Sequence, residues 1–268
     1  MKNTVPISLS THELAFCLAL CGYESMGSQI FNSMQLSVEN EADRFIQETE
    51  ISLRRKGFWD EDRSTMLVSG LEDLLHLLVH SKKKIRSIKS NQVLFIHMLD
   101  QKNVLFQEIL GQSHFFSIQA IEEGLTNLLE KHLGLDKESP KPENGFQTLL
   151  FSEQMYDELH RLDPSVLEKM VNDPALDVEL RQFFADFKEN NQEFDNMSFM
   201  EMDYIKDYIE IKQVNFLLPS KHFIWNLNYE KIEQEEVYII PENINEYCKG
   251  LNEAIMHYFF QGTAPAIK

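Results

Sequence analysis

Glycine is scarce in this chain, ten residues in 268, and no two stand in a Gly-x-Gly spacing. The glycine turns that bring a backbone close to a dinucleotide pyrophosphate are therefore missing. Cysteine is scarcer still. Cys17, Cys21 and Cys248 are odd in number and lack framework spacing, which argues against a disulfide-stapled fold and for a reducing compartment. No apolar run approaches the ~18 residues that span a bilayer. Bases are outnumbered, 25 against 43 acids, for a net charge of −18. Such a surface repels phosphate backbones and anionic lipid, so neither nucleic acid nor membrane is expected as a partner. A Gly-x-Ser-x-Gly elbow is absent, as is any cysteine in a nucleophile context.

What is present is an ordinary globular mixture, 43% apolar and 25% charged. Leu14 to Cys21 imitates a lipoprotein leader. However, His12 and Glu13 precede the run, Lys2 is its whole basic region, and Leu20 stands where a small residue is required. The expectation is a soluble cytoplasmic protein.

Ser10-Thr11-His12-Glu13 carries a capping-box pattern and opens a helix with Leu14, Leu18 and Cys21 on one stripe. Further helices are predicted over about 40–56, ending at Gly57, and 64–80, with Leu67, Leu71, Leu74, Leu75 and Leu78 in register. The period then falls to two. Strands are expected at 85–88, 93–99, 104–110 and 115–118, with a closing helix over 120–133. After a Pro- and charge-rich linker at about 136–145, the order recurs. Helices are predicted at 152–162, 164–171 and 174–190. Strands follow at 204–211, 214–218, 223–229 and 237–240, with a last helix from 242 to 260. At an offset of 123, Ile121 falls on Ile244, Leu125 on Cys248, Leu128 on Leu251 and Phe116 on Ile239. The expected fold is thus α+β, with two quasi-repeated halves, 1–135 and 146–268.

Chemistry-bearing candidates are few. Gly22-Tyr23-Glu24-Ser25-Met26-Gly27 has the glycine spacing of a phosphate loop, but Ser28-Gln29 stands where Lys-Ser/Thr is needed. Glu72, His76 and His80 share a helix face and could hold zinc, although the zincin glutamate position is taken by Leu77. The plainer reading is a polar face, so no metal, cofactor or catalytic set is expected. Lys82, Lys83, Lys84, Arg86 and Lys89 read as a solvated cluster past a helix end. Residues 136–268 hold 26 acids and 12 bases, so the acid excess is concentrated there. Phe194, Met197, Phe199, Met200 and Met202 crowd between acids; the plainer reading is an irregular stretch that covers the core. Met-rich surfaces grip apolar helices of varied shape, so these five are the candidate partner-binding residues.

Leu53-Arg54-Arg55-Lys56-Gly57-Phe58, an acidic turn and a Leu-rich helix to Val79 resemble the N-terminal half of the EspG family of type VII (ESX) secretion chaperones. Phe223-Ile224-Trp225, then Val237-Tyr238-Ile239-Ile240-Pro241 and an amphipathic helix, resemble its C-terminal half. The resemblance implies two quasi-symmetric α+β halves and a cytoplasmic, non-enzymatic protein. It further implies binding of the apolar tip of an α-helical-hairpin secretion substrate, here of WXG or LXG type. Two other readings remain open: an immunity-type inhibitor that covers a basic toxin site, and a metal-dependent hydrolase built on Glu72, His76 and His80.

Overall fold

A computed structural model describes residues 7–33, 39–90, 92–121, 125–134, 145–229 and 232–261. The architecture is α+β. A short strand, β1 (Ile7–Ser10), leads into helices α1 (Thr11–Leu20), α2 (Glu24–Ser33), α3 (Glu39–Arg55) and α4 (Ser69–His80). A meander follows, β2 (Lys83–Lys89), β3 (Gln92–Met98), β4 (Asn103–Leu110) and β5 (Ser113–Ala120), and then α5 (Thr126–Leu133). The second run is β6 (Leu149–Ser152), α6 (Glu153–Leu159), α7 (Pro164–Val171), α8 (Val178–Glu189), β7 (Asp195–Asp203), β8 (Tyr208–Pro219), β9 (Ile224–Asn228), β10 (Glu236–Glu242) and α9 (Ile244–Gln261). The hydrogen-bonded strand order is β1-β5-β4-β3-β2-β7-β8-β9-β10-β6.

Two compact units divide the chain discontinuously. One gathers residues 1–84, 95–119 and 201–210; the other gathers 85–94, 120–200 and 211–268. The linker expected at about 136–145 lies outside the described residues except for Gly145.

In the first unit, Ser10 ends β1 and caps α1. Its side-chain oxygen accepts from the Glu13 amide at 3.1 Å, while the Glu13 carboxylate accepts from the Ser10 amide at 2.7 Å. The predicted capping box is therefore in place. Glu13 is buried and also accepts from Lys56 Nζ at 2.6 Å and Ser52 Oγ at 2.7 Å. Burial alone would raise its pKa; the Lys56, Ser10 and Ser52 hydrogen bonds outweigh that and hold it below the usual value. Helix α3 stops where expected. Gly57 takes φ +74, its amide donates to the Arg54 carbonyl, and the Phe58 amide donates to that of Leu53. Leu14, Leu18, Leu53, Leu71, Leu75 and Phe116 share this unit's core.

A polar row crosses the sheet of the same unit. His97 Nε2 on β3 meets Gln107 Oε1 on β4 at 3.1 Å, and Gln107 Nε2 meets His114 Nδ1 on β5 at 3.0 Å. His114 Nε2 in turn meets Thr11 Oγ1 at 3.1 Å, and that hydroxyl donates to the Gln112 carbonyl. An amide nitrogen only donates, so His114 Nδ1 must accept and every tautomer in the row follows. Burial pushes the His97 pKa down to about 3 and that of His114 to about 4. Both imidazoles are neutral in the fold.

The second unit repeats the edge device. Ser152 ends β6, and its side chain accepts from the Met155 amide at the start of α6. The pairing registers also correspond. Ser10 faces Ser113 and Ile7 faces Phe116 at one end; Ser152 faces Glu236 and Leu149 faces Ile239 at the other. Phenylalanine dominates the core, with Phe151, Phe187 and Phe194 around Phe183, whose ring meets Trp225 edge-on. The Trp225 indole donates to the buried Asp186 at 2.8 Å.

Four sequence expectations are corrected. β1 and β6 have no counterpart among the expected strands, because four residues show no period. The strand expected over 204–211 is a turn at 204–207 followed by the start of β8. Asp203 closes that turn by accepting from the amides of Ile205 and Lys206, which interrupts an otherwise strand-like run. Residues 194–202, read as irregular, are mostly strand β7. The closing helix α5 begins at Thr126, and Ala120 belongs to β5.

The histidine row generates a prediction about acid. An unfolded histidine protonates near 6.5, whereas the folded ones resist until about 4 or below. The unfolded chain thus binds more protons, and stability should fall as pH drops from about 6.5 toward 4, by up to about 1.4 kcal/mol per pH unit for each histidine. Urea titrations at several pH values should show a shallower fall in a His114→Gln variant. An unchanged slope would remove this histidine as a cause.

Candidate functional site

Glu72, His76 and His80 do share a face of α4, but the structure commits them elsewhere. Glu72 Oε2 accepts from Arg63 Nη2 at 2.5 Å, from its Nε at 3.2 Å and from Thr65 Oγ1 at 3.2 Å. The Arg63 hydrogen bond, foremost, holds this carboxyl below the usual range. His76 Nε2 lies 3.8 Å from the other Glu72 oxygen. The two imidazoles instead converge on the Tyr23 hydroxyl, which lies 2.6 Å from His76 Nδ1 and 2.9 Å from His80 Nε2. A cavity of about 520 Å³ opens beside them, walled by Asp73, Leu77, Ser81 and Met98. Among the described residues no group of three or more His, Cys, Asp or Glu is placed to hold a metal ion. Tyr23 is the member that sequence reading missed; a contact 53 residues away leaves no local signal.

The two glycines of the rejected phosphate loop serve helix packing. Gly22 takes φ +83 in the turn between α1 and α2. Gly27 lies so close to α1 that a Cβ would come within 2.7 Å of the Ala15 carbonyl oxygen. Beside this crossing lies an apolar groove of about 310 Å³, walled by Phe16, Phe31, Phe45 and Ile46 over Ala19. Cys17 and Cys21 are free thiols. Burial raises both, that of Cys21 to about 11, so neither is a thiolate near neutrality.

The lysine cluster is not uniformly solvated. Lys82 is exposed, but Lys84 is fully buried, with its Nζ 4.1 Å from the centroid of the Tyr204 ring. Burial lowers its pKa to about 8, against a smaller upward pull from Asp203. Neighbouring Ile85 is fully buried too, so β2 is covered on both faces at this point.

The five candidate partner residues lie on or beside β7, and four of them are core. Phe194 is 7% exposed, Met200 1%, and Met197 and Phe199 0%. Phe194 packs against Phe187 at 4.9 Å between ring centroids. Phe199 meets Tyr258 edge-on at 5.3 Å, and the Tyr258 hydroxyl donates to the Met200 carbonyl. Met202 alone is half-buried. The expectation that these five form an exposed patch is corrected: Phe194 enters the core just ahead of β7, and the strand buries Met197, Phe199 and Met200.

These burials generate two predictions. Phe199→Ala should cost about 3–5 kcal/mol in unfolding free energy, the range for a buried aromatic truncation. A loss below about 1 kcal/mol by urea titration would place the ring outside the core. Tyr23→Phe should cost about 1 kcal/mol while leaving the fold intact, since it removes one hydroxyl shared by two imidazoles. Unaltered His76 and His80 imidazole resonances in that variant would count against the contact.

No family model matches the chain, and no curated protein matches it. Among solved structures it is similar to the Mycobacterium tuberculosis type VII secretion system chaperone EspG5, determined in complex with a PE25-PPE41 dimer. The TM-score is 0.55 at 9% sequence identity, over 98% of each chain. At that identity the likeness is one of fold.

Proposed function

We propose that the chain is a cytoplasmic, non-enzymatic chaperone or adaptor for an α-helical protein exported by a type VII secretion system. Its partner would be a helical hairpin of WXG or LXG type. The supporting observation is the end-to-end match in fold to EspG5, a type VII secretion system chaperone determined in complex with a PE25-PPE41 dimer. Residues 1–135 and 146–268 are inferred to be two copies of one plan. The element order and the edge pairings support this, with Ser113 and Phe116 corresponding to Glu236 and Ile239 at the offset of 123. The mechanism would be burial of the partner's apolar helical tip, with acidic side chains setting orientation and encounter rate.

The net charge of −18 favours a second reading, an immunity-type inhibitor seated over a basic toxin site. The hydrolase reading draws less support, since Glu72 is already held by Arg63 and Thr65. Affinity capture from the native cytoplasm, followed by reconstitution of the captured chain, separates the three. The chaperone reading expects a helical protein that aggregates alone and stays soluble at equimolar ratio with this chain. A captured toxin whose activity is blocked would establish the inhibitor. Zinc at one per chain, lost on His76→Ala, would establish the hydrolase.

A further inference from the structure

The turn joining β7 to β8 is fastened at its root and apolar at its tip. The Met202 amide donates to the Lys82 carbonyl at 2.8 Å, and Lys82 Nζ lies 3.7 Å from the Asp203 carboxylate. Tyr204 covers the buried Lys84 ammonium. Asp203 Oδ1 accepts from the Ile205 amide at 3.1 Å and the Lys206 amide at 3.2 Å, and Asp207 completes the reversal at φ +49. Beyond this fastening the apolar side chains face solvent: Ile205 is 67% exposed, Ile209 60% and Tyr208 45%. Single exposed apolar residues are common, but here Ile205 at the tip and Tyr208 and Ile209 on the two faces where β8 begins put three at one end of an anchored hairpin, the kind of grouping that marks an interaction site.

We propose that Ile205, Tyr208 and Ile209 form a preorganised knob that docks on an apolar helical surface flanked by Lys or Arg. This deepens the chaperone reading and rests on it. The occupant's charge follows from the knob's own. Asp203 is already paired with Lys82, and Asp207 and Glu210 flank the apolar residues against Lys206, on a chain of net charge −18. A second copy would bring like charges together, whereas a basic-flanked partner is attracted and oriented. The fastened root means that little ordering entropy is lost on binding. Tyrosine and large aliphatic side chains are the anchors such a contact uses.

The test places a benzophenone amino acid at position 209, and separately at the exposed Met155 as a control, in the full-length chain within its own cells. The cross-linked protein is identified, purified and titrated against the wild type and against Ile205→Asp with Ile209→Asp. The expected capture from position 209 is an α-helical protein with Lys or Arg beside an apolar segment. Its affinity should fall at least about tenfold in the double variant, with the melting temperature unchanged, and should weaken with added salt. If the aspartates unfold the turn, Ile205→Thr with Ile209→Thr keeps strand propensity and should give a smaller loss in the same direction. Unchanged affinity in a folded variant, or cross-linking only to a second copy of this chain, overturns the knob. A helical partner captured from position 155 alone overturns the knob and leaves the chaperone reading standing. Capture of no helical partner from either position overturns both.

Discussion

A serine that ends an edge strand and caps the next helix is the joint on which both helical layers hang. At Ser10 the chain leaves hydrogen bonding to β5 and at once satisfies the first amides of α1. At Ser152 it leaves β10 and does the same for α6. An uncapped helix start would leave several amides without acceptors against a sheet edge, at a cost of about 1 kcal/mol or more. The first joint is locked further by Glu13, which ties the cap to Lys56 and Ser52 on the next long helical segment. One carboxylate thus couples strand, first helix and third helix, and its charge is stable there because cationic and neutral donors surround it.

The two cores satisfy their polar groups differently. The first unit buries a directional row, His97 to Gln107 to His114 to Thr11, in which each group has a partner along the line. The second relies on aromatic packing, with the Trp225 indole anchored on Asp186. Burial, the largest influence, raises the pKa of that aspartate, and the Trp225 hydrogen bond opposes the shift. In both, polar groups removed from water find partners inside the protein, except that His97 Nδ1 lies buried without a hydrogen-bond partner.

Apolar side chains around β7 divide by position within one hairpin. Met197, Phe199 and Met200 lie inside the fold, and a few residues on, Ile205 and Ile209 lie outside it. The same composition therefore serves stability on one side of Asp203 and is available for contact on the other. The buried lysine beneath Tyr204 holds the boundary, through a cation resting on an aromatic face.

Much of the local structure is legible in the residues themselves. The Ser10–Glu13 box, the stop at Gly57, the leucine stripe of α4, the strand periods of β2 to β5 and the acid excess all follow from short windows or simple counts. Such features rest on interactions within about one helical turn or one strand. Tertiary structure alone decided that Tyr23 would sit between His76 and His80, that Lys84 would lie under Tyr204, and that Met197 and Met200 of β7 would be buried. Each depends on which distant surface covers a side chain. A methionine or lysine has the same local pattern whether it is covered or not, so its burial is settled only when remote elements meet.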